Sequence, residues 1–324
     1  MSKRNFVSAW VGLVLLVLLA LPGLVGIPYF MHLAVLALIW VIVAQGQNLI
    51  QGFTGYVSIA SAGFMGVGAY ASTLLSLKLG WPVWLAMCCA PLVSGALAIV
   101  VGYPSLRVKG HYFAIVTLAY NLVIFIVLNN FSSLTGGESG ITGVPKPGGF
   151  MLFDYVVNFE NRNAYYYLAL LGAVLATALC GRILHSRVGR VLVAIRQNET
   201  LVDATGVIAW RYKLFAFAMS ACLSGLAGSL YAHFIGFLNP EPFGVDQSLN
   251  AILAVILGGS GTLSGPVIGA FLVVALPEFL RVAETWRLVA YGLLLVVTTI
   301  FMPRGIVPVV VRTFDSLTGR FRRK

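Results

Sequence analysis

The sequence predicts an all-α polytopic membrane protein of about ten transmembrane helices, and three observations carry that prediction. The 324 residues are 59% hydrophobic and only 10% charged, against about 25% charged in a soluble domain. Mean hydropathy is +0.94, so too few polar residues remain to cover a large core in water. The apolar runs are also too long and too unalternating for barrel strands, which leaves helices as the spanning element. No composition shift marks a second, soluble domain, and residues 1–324 read as one transmembrane domain.

Crossing the hydrocarbon takes about 20 apolar residues. The opening "MSKRNFVSAWVGLVLLVLLALPGLVGIPYF" imitates a signal peptide, but its apolar run continues to Ile27 and lacks an Ala-x-Ala-like site, so it reads as an uncleaved first span. Spans are expected over 6–27, 30–50, 56–79, 83–103, 111–131, 164–184, 213–238, 247–260, 264–281 and 286–303. The stretch 247–281 is the exception in kind. "GGSGTLSGP" (258–266) divides it into two short halves, either two short spans or a re-entrant hairpin beside eight full spans.

Charge orients these elements. Lys3 and Arg4, then Arg107 and Lys109, then the basic 182–213 stretch, then the tail 304–324 with Arg304, Arg312, Arg320, Arg322, Arg323 and Lys324 all fall on one side. The positive-inside rule makes that side the cytoplasm, with both termini there. The loop 132–163, carrying Glu138, Asp154 and Glu160, falls outside. The net charge of +11 is therefore a membrane-topology signal, and no nucleic-acid partner is expected. The surface partner of these arginines is membrane lipid or a protein.

Several chemistries are missing. There is no P-loop, HExxH or GxSxG motif, so neither an ATPase nor a metallohydrolase nor a serine hydrolase is indicated. No cofactor, metal or catalytic residue is expected. Cys88, Cys89, Cys180 and Cys222 lie in apolar runs without metal spacing and read as small buried hydrophobes. His32, His111, His185 and His233 are scattered. No Asp, Glu, Lys or Arg lies deep within a span, whereas ionisable relays mark proton-driven carriers. Intramembrane polar residues are neutral: Gln45, Gln47, Asn48, Ser58, Ser61, Thr117, Asn121 and Asn129.

Small residues recur at four-residue spacing, as Ser58, Ala62 and Gly66, and as Ala221, Gly225 and Ser229. Such faces let helix backbones approach. Gly52 and Gly55, and Gly258, Gly259, Gly261 and Gly265, could instead unwind their helices beside a pathway. Of the neutral groups, Asn48, Ser58, Ser61, Thr117 and Asn121 are the candidates for that path. Interhelical hydrogen bonding is the alternative role for each.

Charge crowds into "GRVLVAIRQNETLVDATGV" (189–207), which holds Arg190, Arg196, Glu199 and Asp203, with Arg182, Arg187, Arg211 and Lys213 flanking it. Val191, Ile195 and Val202 share one helical face, and Arg196, Glu199 and Asp203 another. Thr200 with Asp203 suggests a capping box, and Gly206 a stop. A short helix over about 200–205 is expected after a basic arm 187–197, within an exposed segment 185–212. It is a handle for a soluble partner, or a connector meeting anionic headgroups.

The chain resembles the permease subunits of branched-chain amino acid ABC importers, specifically the M type. The resemblance lies in "NLIQGFTGYVSIASAGFMGVGAY" (48–70), "LTGGESGITGVP" (134–145), "GRVLVAIRQNETLVDATGV" (189–207), "RYKLFAFAMSACLSGLAGSLYAHFIGFLNP" (211–240) and "AVILGGSGTLSGPVIGAF" (254–271), in family order. It implies an ABC-importer permease fold paired with a second related permease subunit. It also implies two ATPase subunits docking from the cytoplasm and a soluble substrate-binding protein delivering from outside. The 185–212 segment then becomes the coupling loop, with Arg190, Arg196, Glu199, Thr200, Asp203, Ala204 and Gly206 as coupling residues. The family often has a Gly-His pair where this chain has Ala60 and Ser61, which bears on substrate preference. Other amino acids, urea and short amides are alternative substrates. A self-sufficient secondary carrier or channel is the alternative class.

Overall fold

The computed structural model describes residues 22, 28–106, 110–152, 155–157, 159, 161–279 and 305–306. The expected spans 6–27 and 286–303 therefore lie outside the described residues, as do the terminal basic clusters, apart from residues 305–306. Arg107, Lys109, Asp154 and Glu160 lie outside them too.

The described chain runs α1 (Pro28–Gln47), a π-helical turn (Asn48–Gly52), α2 (Ser61–Leu77), α3 (Val83–Ser105) and α4 (His111–Asn130). It continues through α5 (Arg162–His185), α6 (Arg187–Gln197), α7 (Glu199–Ala204) and α8 (Ala209–Ile235) to α9 (Val245–Gly258) and α10 (Gly265–Phe279). Five of these stretches are long and apolar enough to cross a membrane: 28–52, 83–105, 112–130, 162–185 and 209–235. At 14 and 15 residues, α9 and α10 reach only about 21–23 Å, short of the roughly 30 Å hydrocarbon layer.

Two short antiparallel strand pairs decorate one end of the bundle. Ile141–Thr142 pairs with Phe237–Leu238, and Phe150–Leu152 with Tyr155–Val157. The same end holds the start of α1 beside α5, where Arg162 Nη1 donates to Pro28 O at 3.4 Å. His233 Nδ1 also approaches Pro145 O there, at 2.6 Å. The opposite end gathers the π-helical turn, α6, α7, the start of α8 and the α9–α10 connection.

α1 forms the buried mast, with Val35, Ile39, Ile42, Ala44, Leu49 and Ile50 fully enclosed. α8 packs against it and against α2 and α3. Small residues permit that approach. A Cβ on Gly68 would meet the Gly225 backbone, and one on Gly228 would meet Met65 O, so neither position accepts a larger residue without moving a helix. By contrast α3, α4 and α5 turn Val100, Ile115, Val123, Leu171 and Leu175 outward, as helices facing lipid or another apolar subunit do. Cys180 is buried as expected, but Cys88 is exposed on the outer face of α3.

Two expectations need correction here. The span 56–79 is not helical from its start: residues 55–60 are non-helical and α2 begins at Ser61. Ser58 therefore cannot share a helical face with Ala62 and Gly66. Gly66 instead admits Phe243 and Leu128. Hydropathy sees an unbroken apolar run because apolarity does not reveal where the backbone ladder stops.

Candidate functional site

The first break begins where α1 widens into the π-helical turn. All five of its residues are buried. Gly55 then takes a left-handed φ of +79°, and the chain runs to Ser61 without a helical ladder. Unpaired backbone at membrane depth is tolerated only where protein groups satisfy it, and here side chains do so. Gln47 Nε2 donates to Ser58 O at 2.9 Å, Ser61 Oγ donates to Gln47 Oε1 at 2.5 Å, and Ile59 N donates to Thr117 Oγ1 at 3.0 Å. The first free amides of α2 are met likewise: Ala62 N donates to Ser248 Oγ at 2.9 Å and Gly63 N to Asn121 Oδ1 at 2.6 Å.

The structure thus brings four of the five path candidates, Ser58, Ser61, Thr117 and Asn121, around the start of α2. All are buried. Their polar atoms complete the backbone of the break, with Asn121 Nδ2 left without a partner among the described residues.

Asn48 works elsewhere, at the junction with the second break. Its Nδ2 donates to Thr262 O at 2.8 Å and its Oδ1 accepts from Gly261 N at 2.9 Å. Gln45 Nε2 adds a bond to Leu263 O at 2.8 Å. Glycine is required at this junction. Gly259 and Gly261 have φ of +126° and +80°. A Cβ on Gly52 would strike the Asn48 side chain and the Gly261 amide, and one on Gly258 would strike the Gly265 backbone. All six candidate helix-break glycines sit at these two breaks.

The charged segment lies against the same junction, in a form that local sequence patterns only partly foretell. The basic arm is itself helical, α6, with Ser186 capping it through Gly189 N at 3.3 Å. Asn198 leaves helical geometry at φ −162° and caps α7 through Leu201 N at 3.1 Å. Thr200 is therefore not the cap, because the Asn amide two residues earlier already occupies that role. Asp203 instead accepts from Ala209 N at 3.2 Å, holding the start of α8. Gly206 follows at φ +83°, as the stop requires.

Nor do Arg196, Glu199 and Asp203 share a face, since the turn at Asn198 separates α6 from α7. Arg196 Nη1 donates to Gly52 O at 2.6 Å. Glu199 pairs with Lys213 at 2.7 Å, and Lys213 is only 1% exposed. Tyr56 completes this cluster. Its hydroxyl donates to Glu199 Oε2 and accepts from Lys213 Nζ at 3.2 Å, while Nζ sits 4.4 Å from the Tyr56 ring centre. Sequence patterns alone do not single out Tyr56, and they leave Lys213 as a mere flanking charge. A lysine one turn inside an apolar helix is the signal that could have found the cluster.

What α7 leaves outward is different. Ile195, Val202 and Ala209 form a small buried cluster beneath it. Thr200, Leu201, Ala204, Thr205 and Gly206 are exposed, with Leu201 at 65% and neighbouring Ile208 at 44%. Arg190 is also exposed on α6. The outward face of the handle thus combines Leu201 and small residues with the polar Thr200, Asp203 and Thr205, and is bordered by Arg187, Arg190 and Arg211, which are exposed. A group of three or more metal-ligating side chains is not found among the described residues.

Comparison with known proteins follows the same lines. Residues 29–298 match the family model for the permease component of the branched-chain amino acid transport system. The high-affinity branched-chain amino acid transport permease protein LivM of Salmonella typhimurium is 34% identical over 294 residues, covering 85% of this chain and 69% of the relative. LivH of Escherichia coli is 25% identical, covering 82% and 90%. The ribose import permease RbsC of Haemophilus influenzae is 24% identical, covering 92% of each. No solved structure matches. With the family model spanning most of its length, this chain belongs to the permease components of branched-chain amino acid transport systems.

Proposed function

We propose that the chain is the membrane-spanning, non-catalytic subunit of an ATP-driven importer of branched-chain amino acids. A second related permease, two cytoplasmic ATPase subunits and an external binding protein complete it. The observation that carries this reading is α7. It is a capped helix with Leu201, Ala204 and Gly206 exposed on its outward side, held at the arginine-bordered end of a bundle in which Lys213 is the fully buried charge among the described residues. The identity to LivM favours branched-chain amino acids over the sugar carried by the more distant ribose relative.

On this reading residues 185–212 are cytoplasmic, 132–163 external and the tail 304–324 cytoplasmic. Segments 6–27 and 286–303 bring the spans to about ten, with both termini inside. Thr200, Leu201, Ala204 and Gly206 meet the ATPase, whereas Glu199, through Lys213, and the exposed Asp203, through Ala209 N, tie the helix to α8. Nucleotide-driven closure of the ATPases then biases two packings of the bundle. Asn121, whose buried Nδ2 lacks a partner among the described residues, is the best-supported path residue.

The test is reconstitution of the importer in proteoliposomes with Gly206→Trp. A bulky residue at a positive-φ, exposed position is strained and blocks docking. ATP-driven leucine uptake is expected to collapse while the subunit stays inserted. Normal uptake in this variant, or labelling of residues 187–211 from the external face, would defeat the proposal.

A further inference from the structure

Arg196 reads from sequence as part of a charged docking surface, and it is exposed, yet its guanidinium tip is tied to the backbone of the first break. Its Nη1 reaches the Gly52 carbonyl at 2.6 Å, at the end of the broken α1, where helix dipole and unpaired carbonyls favour a cation. The amide that would ordinarily take that carbonyl, Tyr56 N, donates to Thr54 Oγ1 instead. The contact extends to the second break. A Cβ on Gly261 would lie 2.6 Å from Arg196 Nη1 and 3.1 Å from Gly52 O, and one on Gly55 would lie 3.2 Å from Arg196 Cγ. Asn48 already ties Gly261 and Thr262 to the π-helical turn. The arginine therefore sits on the one junction shared by both interrupted helices, two residues before the Asn198 turn that starts α7.

We infer that Arg196 is a positioning residue that links α7 to the paired helix breaks, so that displacement of the handle moves the ends of α1 and the α9–α10 connection together. This rests on the docking reading of α7 and deepens it: the ATPase grips Leu201 and its neighbours, and Arg196 carries the displacement inward. A guanidinium suits the role because its forked donors are preorganised on a long, always-charged arm. Gly55 and Gly261 leave the space that arm needs.

The experiment uses the complete importer in proteoliposomes, reading leucine imported per ATP hydrolysed and co-purification of the ATPase subunits. Arg196→Gln is expected to retain the ATPases while uptake per ATP falls about tenfold, the factor for losing one hydrogen bond to a charged group from one of two states. Arg196→Lys recovers part of the loss. Gly261→Ala, which alters no residue of the outward α7 face, produces the same uncoupling, and the double variant R196Q/G261A is no worse than either single one.

Unchanged uptake per ATP in Arg196→Gln overturns the inference. So does loss of the ATPases from Arg196→Gln with normal coupling in Gly261→Ala, which would make Arg196 a docking residue. Failure of both Arg196 variants to fold would make it a structural staple and also overturns the inference. Failure of the docking reading is seen separately, as undisturbed ATPase retention and uptake in Gly206→Trp.

Discussion

The two helix breaks meet at one junction but are built by opposite means. Residues 48–60 are held open by side chains. Gln47, Thr117, Asn121 and Ser248, drawn from several elements, take up the backbone groups of the break and of the start of α2, and Tyr56 anchors the break to Glu199 and Lys213. Residues 258–265 are held closed by the lack of side chains. There α9 and α10 bring backbone against backbone at Gly258 and Gly265, and a Cβ on Gly269 would strike the Ala254 carbonyl. Thr262 alone supplies local caps, accepting from Gly265 N at 3.0 Å and donating to Gly259 O at 2.8 Å. A break made by polar side chains fails when a hydrogen bond is removed. A break made by glycine fails when an atom is added.

The largest effect should come from the charge that steadies the first break. Lys213→Met leaves the largely enclosed Glu199 without its cation, and breaking a buried pair costs about 3 kcal/mol or more. A steep fall in Tm of the purified subunit is the readout, with Glu199→Gln/Lys213→Met recovering part of it. If both variants melt like the parent, the Tyr56 cluster does not anchor that break.

Next comes Gly258→Ala, where the added methyl meets backbone and cannot be relieved by a rotamer change. Overpacking of this kind costs about 2–3 kcal/mol, again read as Tm. Asn48→Leu tests the bridge between the breaks. It strands the Gly261 amide and the Thr262 carbonyl, costing about 2 kcal/mol, and the α9–α10 connection should become accessible to cysteine labelling.

Thr117→Val, similar in shape, removes the acceptor for Ile59 N and a local bond donated to Ala114 O in its own helix. Within membranes such bonds average about 0.6 kcal/mol, so the shift should be the smallest of the four. A shift from Thr117→Val exceeding that from Asn48→Leu would reverse the ranking and the comparison with it.

The helical class is plain in the sequence, because apolar runs of membrane length are direct consequences of the solvent. Both breaks are marked there too, since a cluster of glycines weakens a helical ladder that the flanking apolar residues would otherwise continue. The handle at 187–206 is visible as misplaced charge. What the sequence withholds is partnership across the chain. Asn48 and Gly261 lie 213 residues apart and Tyr56 and Glu199 143, and no periodicity links them. A capping box is a local pattern and points to Thr200 as the cap. The actual boundary is the turn at Asn198, which separates Arg196, bonded to the Gly52 carbonyl, from Leu201 on the outward side of α7. The path candidates are polar and buried, as the sequence implies. That they mostly complete backbone hydrogen bonds depends on where α2 begins, which hydropathy does not locate.

The central position of α1 has a bearing on biogenesis. Gln45 and Asn48 find their partners on Leu263, Gly261 and Thr262, more than 200 residues downstream. During synthesis the Asn48 amide enters the bilayer early and waits for the last quarter of the chain before these hydrogen bonds can form, whereas Gln45 also bonds Thr177 Oγ1, at 3.2 Å. The first break is thus not sealed until the chain beyond residue 260 has been made.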